Sequence, residues 1–245
     1  MSTPKPKIRL DFLDLVRGNA IVLMFIYHFC FGLAQIGVLN AQFSSDYFWI
    51  GFRTLIIFLF LSLVGMGLYL SKNRETFTAR FAKRMLLLAL YAGLISWISY
   101  LVRPNYYVYF GILHHIFIAS LLGLLFTHFY RLNLWLGLGV IIVGIFIESS
   151  WFNTSFLHWL GLGTHQVRSD DFAPLFPWFG FVLLGLFFAN LIFQQQKLST
   201  FRRRFVENWG PRSIIGKTLC WAGRQSLHLY FIHFISFYCL VYLLS

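Results

Sequence analysis

Seven apolar stretches of about 20 residues each, separated by short basic loops, constrain this chain more than any other feature. They fall at 15–37, 50–71, 82–102, 109–129, 133–149, 174–194 and 224–244. At ~1.5 Å of rise per residue, some 20 helical residues cover the ~30 Å hydrocarbon core of a bilayer. Lipid offers the backbone no hydrogen-bond partner, so such stretches close their bonds internally as helices. Composition agrees, with 58% hydrophobic and 11% charged residues, where a soluble domain carries roughly 25% charged residues. The predicted fold is all-α: a polytopic membrane protein with about seven transmembrane helices. Residues 1–14 form a cytoplasmic N-terminal segment, and 15–245 form a single transmembrane helical domain. Glu148 and the aromatic stretch from Trp151 to Trp159 blur the end of the fifth span.

The formal net charge is +12, yet the basic residues lie in loops between spans. That placement marks orientation and attraction to anionic lipid, and it excludes nucleic acid as a partner. With the N-terminus inside, the cytoplasmic side receives all of the 20 basic residues except Arg53, Arg103 and Arg168. The bias predicts N-terminus inside and C-terminus outside. Asp11 and Asp14 precede the first span and no small-x-small site follows it, so a cleaved signal peptide is not expected. Cys30, Cys220 and Cys239 show no C-x-x-C spacing and are expected as free thiols in apolar surroundings. No histidine or carboxylate spacing suits a metal.

Ionisable residues inside the spans carry the functional signal, because they are expensive in lipid. Arg17 and His28 lie eleven residues apart in the first span. Eleven helical steps return to nearly the same face about 16 Å deeper. Topology places His114 and His115 near the outer end of the fourth helix. Asp170 and Asp171 precede the sixth, and His233 lies at mid-membrane on the seventh. Asp14, Arg17 and Arg224 mark the inner boundary. Each also has a plain structural explanation. Arg17 is an interfacial anchor or the i,i+3 partner of Asp14. His28 is a core histidine bonded to a neighbouring helix. Of His114 and His115, which point in different directions on a helix, at most one faces the site and the other is structural. Asp170 and Asp171 are solvated loop charges, and His128, His158 and His165 are interfacial or loop histidines.

The start Arg9-Leu-Asp11-x-x-Asp14-x-x-Arg17-Gly18, running on to His28, resembles the first helix of the membrane acyltransferases. Within that group the chain is similar to the bacterial family named after the catalytic domain of heparan-α-glucosaminide N-acetyltransferase. Three more segments fit: Tyr109-Phe-Gly-Ile-Leu-His114, Asp171-Phe-Ala-Pro174-Leu-Phe-Pro177-Trp178-Phe-Gly180, and Gly223-Arg224-Gln-Ser226-Leu-x-x-Tyr230-x-x-His233. The four together span residues 9 to 233.

The resemblance implies an enzyme of the bacterial inner membrane that takes acetyl from cytosolic acetyl-CoA and places it on an acceptor at the outer face. His28 is then the catalytic histidine, with Asp171 and His114 as further catalytic candidates. Arg17, Asp14, Arg224 and Arg84 are the coenzyme-binding candidates. His233, Ser226 and Trp178 are the substrate-binding ones. No large luminal domain like that of the lysosomal enzyme is expected, so a bacterial envelope glycan or amino sugar is the expected acceptor. Partners are acetyl-CoA, that acceptor and membrane lipid, with a homo-oligomer left open and no metal expected.

The residues support the same chemistry. Arg80, Lys83, Arg84 and Arg202 to Arg204 cluster in the inner loops, and guanidinium forks suit the phosphates of coenzyme A. A neutral imidazole at His28 suits a general base, oriented by Asp171 or Asp14, with depth favouring Asp171. An acetyl-histidine intermediate is the competing mechanism. Two other classes stay open: a small proton- or solute-coupled transporter, and a non-catalytic assembly subunit. Convergence of His28, His114 and Asp171 on one cavity with a basic opening favours transfer chemistry.

Overall fold

The structure, a computed structural model, describes residues 10–72, 77–165, 167–169, 171–194, 198–201, 206 and 209–244. Its helices are α1 (Asp11–Gln35), α2 (Tyr47–Ser71), α3 (Phe77–Val102), α4 (Ile112–Phe126), α5 (Arg131–Phe146), α6 (Leu175–Gln194), a single turn α7 (Ser199–Phe201), α8 (Ile214–Arg224) and α9 (Ser226–Leu244). No named strand occurs among the described residues; one isolated bridge joins Gly111 to Phe172. Each predicted span overlaps a helix. Four helices are long and apolar enough to cross a membrane: α1 over Asp11–Ala34, α2, α3 and α6. The protein is an integral membrane protein. The other three expected spans are shorter apolar helices, at Ile112–Phe126, Arg131–Phe146 and Ser226–Cys239. The 15 residues of α4 and 16 of α5 extend only about 22–24 Å.

Local sequence explains the ends. Asp11 and Asp14 lie in the first turn of α1, where carboxylates complement the helix dipole. The predicted seventh span begins too early. Arg224 ends a separate helix, α8, started by Ser213 accepting the Gly216 N–H at 3.1 Å. Gln225 is non-helical (φ −99°, ψ 15°), and α9 starts afresh at Ser226.

The helices form a solid part and a hollow part. In the solid part α6 packs between α2 and α5 and also touches α4. It buries residues on several faces, from Trp178 to Asn190, as a helix apolar all round must. A Cβ on Gly65 would strike the Val182 carbonyl, and one on Gly185 the Ser62 carbonyl. Glycine therefore brings α2 and α6 into backbone contact. In the hollow part, neighbouring pairs close a ring: α1 on α2, α2 on α4, α4 on α3, α3 on α9, and α9 back on α1. The connection from α5 to α6 is pinned across one end of this ring. Ala173 N–H donates to the Phe110 carbonyl at 3.0 Å, and the Tyr109 hydroxyl donates to the Ser155 carbonyl at 2.7 Å.

Candidate active site

The ring encloses a cavity of about 1490 Å³, larger than the ~300–1,000 Å³ of ordinary ligand pockets. From α1 it takes Arg17, Met24, Tyr27, His28, Phe31 and Ala34, a stripe at helical spacing. From Arg17 to Ala34 is about 26 Å along the axis, so the cavity follows most of the helix. Arg17 and His28 line the same space, as their eleven-residue spacing predicts.

One end is basic. Arg17, Arg80, Lys83, Arg84 and Arg224 line it. Asp14, 5% exposed, accepts from Arg17 Nη1 at 3.2 Å and from Arg224 Nε at 3.3 Å; Asp11 accepts from Arg224 Nη2 at 2.7 Å. The hydrogen bond to Asp11, with that to Asp14 adding and burial opposing, raises the pKa of Arg224 above its ordinary value. Glycine again makes the geometry. A Cβ on Gly223 would collide with the Asp14 carbonyl and one on Gly18 with the Leu219 carbonyl, so α8 lies directly on α1. Arg80, Lys83 and Arg84, on the first turns of α3, have no ion pair among the described residues.

His28 lies midway. Its Nδ1 is 3.1 Å from the Met24 carbonyl one turn earlier. A carbonyl only accepts, so Nδ1 carries a hydrogen and the lone pair of the neutral ring is on Nε2. The expected orienting carboxylate is thereby corrected: a backbone carbonyl of the same helix holds the ring. The ring of His233, on α9, lies 5.1 Å away between centroids and stacks on Phe25 at 4.4 Å. His233 Nε2 is enclosed and has no hydrogen-bond partner among the described residues.

Asp171 also lines the cavity, in the left-handed region at φ 57°, a conformation that Asp tolerates better than most residues. Its Oδ2 accepts from the Ile112 N–H at 3.1 Å and from the Tyr230 hydroxyl. One carboxylate thus ties the start of α4 to α9. Gln42, Arg53, Glu148, His158, His165 and Ser169 line the far end, a mixed vestibule with both signs of charge.

Other predicted residues fall elsewhere. Ser226 lines the cavity beside the basic end, but neither His114 nor Trp178 does. His114 Nδ1 accepts the Gly111 N–H at 3.3 Å, capping α4, and Nε2 meets Ser96 Oγ at 3.2 Å. Ser96 gives its own hydrogen to the Val108 carbonyl, so His114 Nε2–H is the donor there. His115, fully buried, sets Nδ1 against the Ala173 and Pro174 carbonyls at 3.2 and 3.1 Å. Both histidines of the pair are committed to local structure, and His114, a catalytic candidate, does not line the cavity. Trp178 is buried in the solid part against Phe181. Asp170 and Arg202 to Arg204 lie outside the described residues. No group of three potential metal ligands occurs among the described residues.

Sequence reasoning missed Tyr230, Arg53 and Glu148. Tyr230 sat inside a motif already singled out, and Arg53 was one of three cations on the sparse side. The Met24 carbonyl, a backbone group, carries no sequence signal. Residues 9–235 match the family model described as heparan-alpha-glucosaminide N-acetyltransferase, catalytic. No curated protein and no solved structure matches the chain.

Proposed function

We propose that this chain, which belongs to the heparan-alpha-glucosaminide N-acetyltransferase catalytic family, moves acetyl from acetyl-CoA at the basic end to an acceptor entering from the far vestibule. The observation that carries this reading is one continuous cavity: a cluster of cations at one end, three of them without an ion pair among the described residues, His28 midway and a mixed-charge vestibule beyond. Arg80, Lys83 and Arg84 receive the phosphates of the coenzyme, for which paired cations are less available. Asp11 and Asp14 hold Arg17 and Arg224 in place beside them. The α1 stripe then offers an apolar track of about 16 Å from Arg17 to His28, along which the pantetheine arm lies.

At the end of that track His28 Nε2 takes the proton of an amine or hydroxyl as it attacks the thioester carbonyl. The new bond forms from the acceptor's lone pair, the carbon–sulfur bond breaks onto sulfur, and the proton ends there as the free thiol. Asp171, bound to Tyr230 and α4, shapes the acceptor side. The cation bias puts the basic end in the cytosol and the acceptor outside, in a seven-span arrangement with the N-terminus inside. An amino sugar or envelope glycan at a bacterial inner membrane suits this layout.

The test is thiol release from acetyl-CoA by purified protein in lipid, with glucosamine as acceptor. His28→Ala is expected to lose at least about 10²-fold in turnover while remaining folded. A folded His28→Ala protein with wild-type turnover removes His28 from the chemistry. A wild-type protein that cleaves no thioester removes the reading altogether.

A further inference from the structure

We infer that His233 is the second proton-handling group of the site, forming with His28 a two-imidazole relay. This inference rests on the acetyl transfer proposed above and adds a residue that the transfer as written does not use. His28 has only one nitrogen for chemistry, because Nδ1 is tied to the Met24 carbonyl at 3.1 Å. Once Nε2 has taken the acceptor's proton, a lone imidazolium faces a largely apolar stripe, where an unshared charge is costly. The His233 ring, its centroid 5.1 Å from that of His28, is placed to share it.

Three observations point to His233 rather than to another neighbour. Its ring is held in place by stacking on Phe25 at 4.4 Å. Its Nε2 is enclosed without a partner among the described residues, and buried polar atoms in native proteins seldom stay so without a reason. Tyr230, His228 and Asp171 already have hydrogen-bond partners. On α9, Tyr230 is bound to Asp171, and His228 is bound to the Tyr91 hydroxyl of α3 at 2.7 Å. Asp171 also receives the Ile112 N–H. On α1, Tyr27 packs its ring against His28 and Phe43.

The relay conserves every atom. The acceptor's proton passes to His28 Nε2; as the carbon–sulfur bond breaks, His28 gives that proton to one nitrogen of His233 while the other nitrogen of His233 gives its own to sulfur. Both rings return neutral, and the acceptor–carbon bond replaces the carbon–sulfur bond.

The experiment compares His233→Gln, which keeps a polar side chain of similar reach but carries no transferable ring proton, with wild type and with His28→Ala. Acetyl-CoA and glucosamine are the substrates, and the protein is the full chain in lipid nanodiscs. His233→Gln is expected to lower kcat about 10²-fold with the acetyl-CoA KM unchanged. The dependence of kcat on the deuterium content of the solvent becomes linear, where wild type curves because two protons are in flight. Adding His233→Gln to His28→Ala costs nothing further, since the two act as one unit. Unimpaired turnover in folded His233→Gln overturns the relay alone, as do losses that multiply in the double variant. Wild-type protein without thioester cleavage overturns the relay and the proposed function together.

Discussion

The two ends of the cavity differ in charge and in construction. The basic end is made of helix positions: Arg17 on α1, Arg80, Lys83 and Arg84 on α3, and Arg224 at the end of α8. Among the described residues five cations meet two carboxylates there, and both carboxylates are occupied with Arg17 and Arg224. The far end mixes Arg53 with Glu148, Asp171 and two histidines, and draws mainly on the loops around Gln42 and between α5 and α6. Helices present charges at fixed spacing, whereas loops vary without disturbing the scaffold. A polyanion of constant structure suits the first kind of wall, and a ligand that differs between relatives suits the second. On the proposed function, donor and acceptor specificity reside in separate parts of the chain.

Charge removal breaks the comparison most sharply. Arg80→Gln with Arg84→Gln is expected to raise the acetyl-CoA KM by about tenfold or more, since hydrogen bonds to charged groups are worth ~1.5–3 kcal/mol each. Arg53→Gln, measured beside it, leaves that KM unchanged; the opposite pattern reverses the assignment of the ends. The next effect is structural. Gly223→Ala drives a Cβ into the Asp14 carbonyl, so α8 must lift from α1 at about 1–3 kcal/mol. A lower thermal midpoint and a raised acetyl-CoA KM are expected together, because Arg224 moves with α8. An unshifted midpoint means that the two backbones are not in contact. The smallest effect belongs to His114→Gln, which gives up its contacts with Gly111 and Ser96 for about 1 kcal/mol of stability. Turnover stays within about threefold, since His114 does not line the cavity; a loss comparable to that of His28→Ala returns it to the chemistry.

Much of this was legible in advance. Helices α1 to α6 and α9 each overlap a predicted apolar stretch, the Asp14–Arg17 contact is the expected i,i+3 pair, and Arg17 and His28 share a cavity as their spacing demands. These features are local: hydropathy over 20 residues, charge near a span's end, and a repeat of 3.6 residues per turn. What stayed hidden involves partners distant in the chain or made of backbone. Arg224 reaches back 213 residues to Asp11, and Tyr230 reaches 59 to Asp171. Met24 acts on His28 through a carbonyl, and the Ala173 and Pro174 carbonyls commit His115.

The amino-acid order alone determined that this is a helical membrane protein with one cationic side and a polar stripe on its first helix. Lipid makes those properties additive along the chain, because each segment meets the same solvent whatever its neighbours are. Only the tertiary structure decided which stripe faces which. The rotation of α9 that brings His233 beside His28, and the close seating of α8 on α1, come from side chains and glycines packing between helices. In lipid, association follows that fit rather than apolar burial, and fit is a property of the pair that neither helix carries by itself.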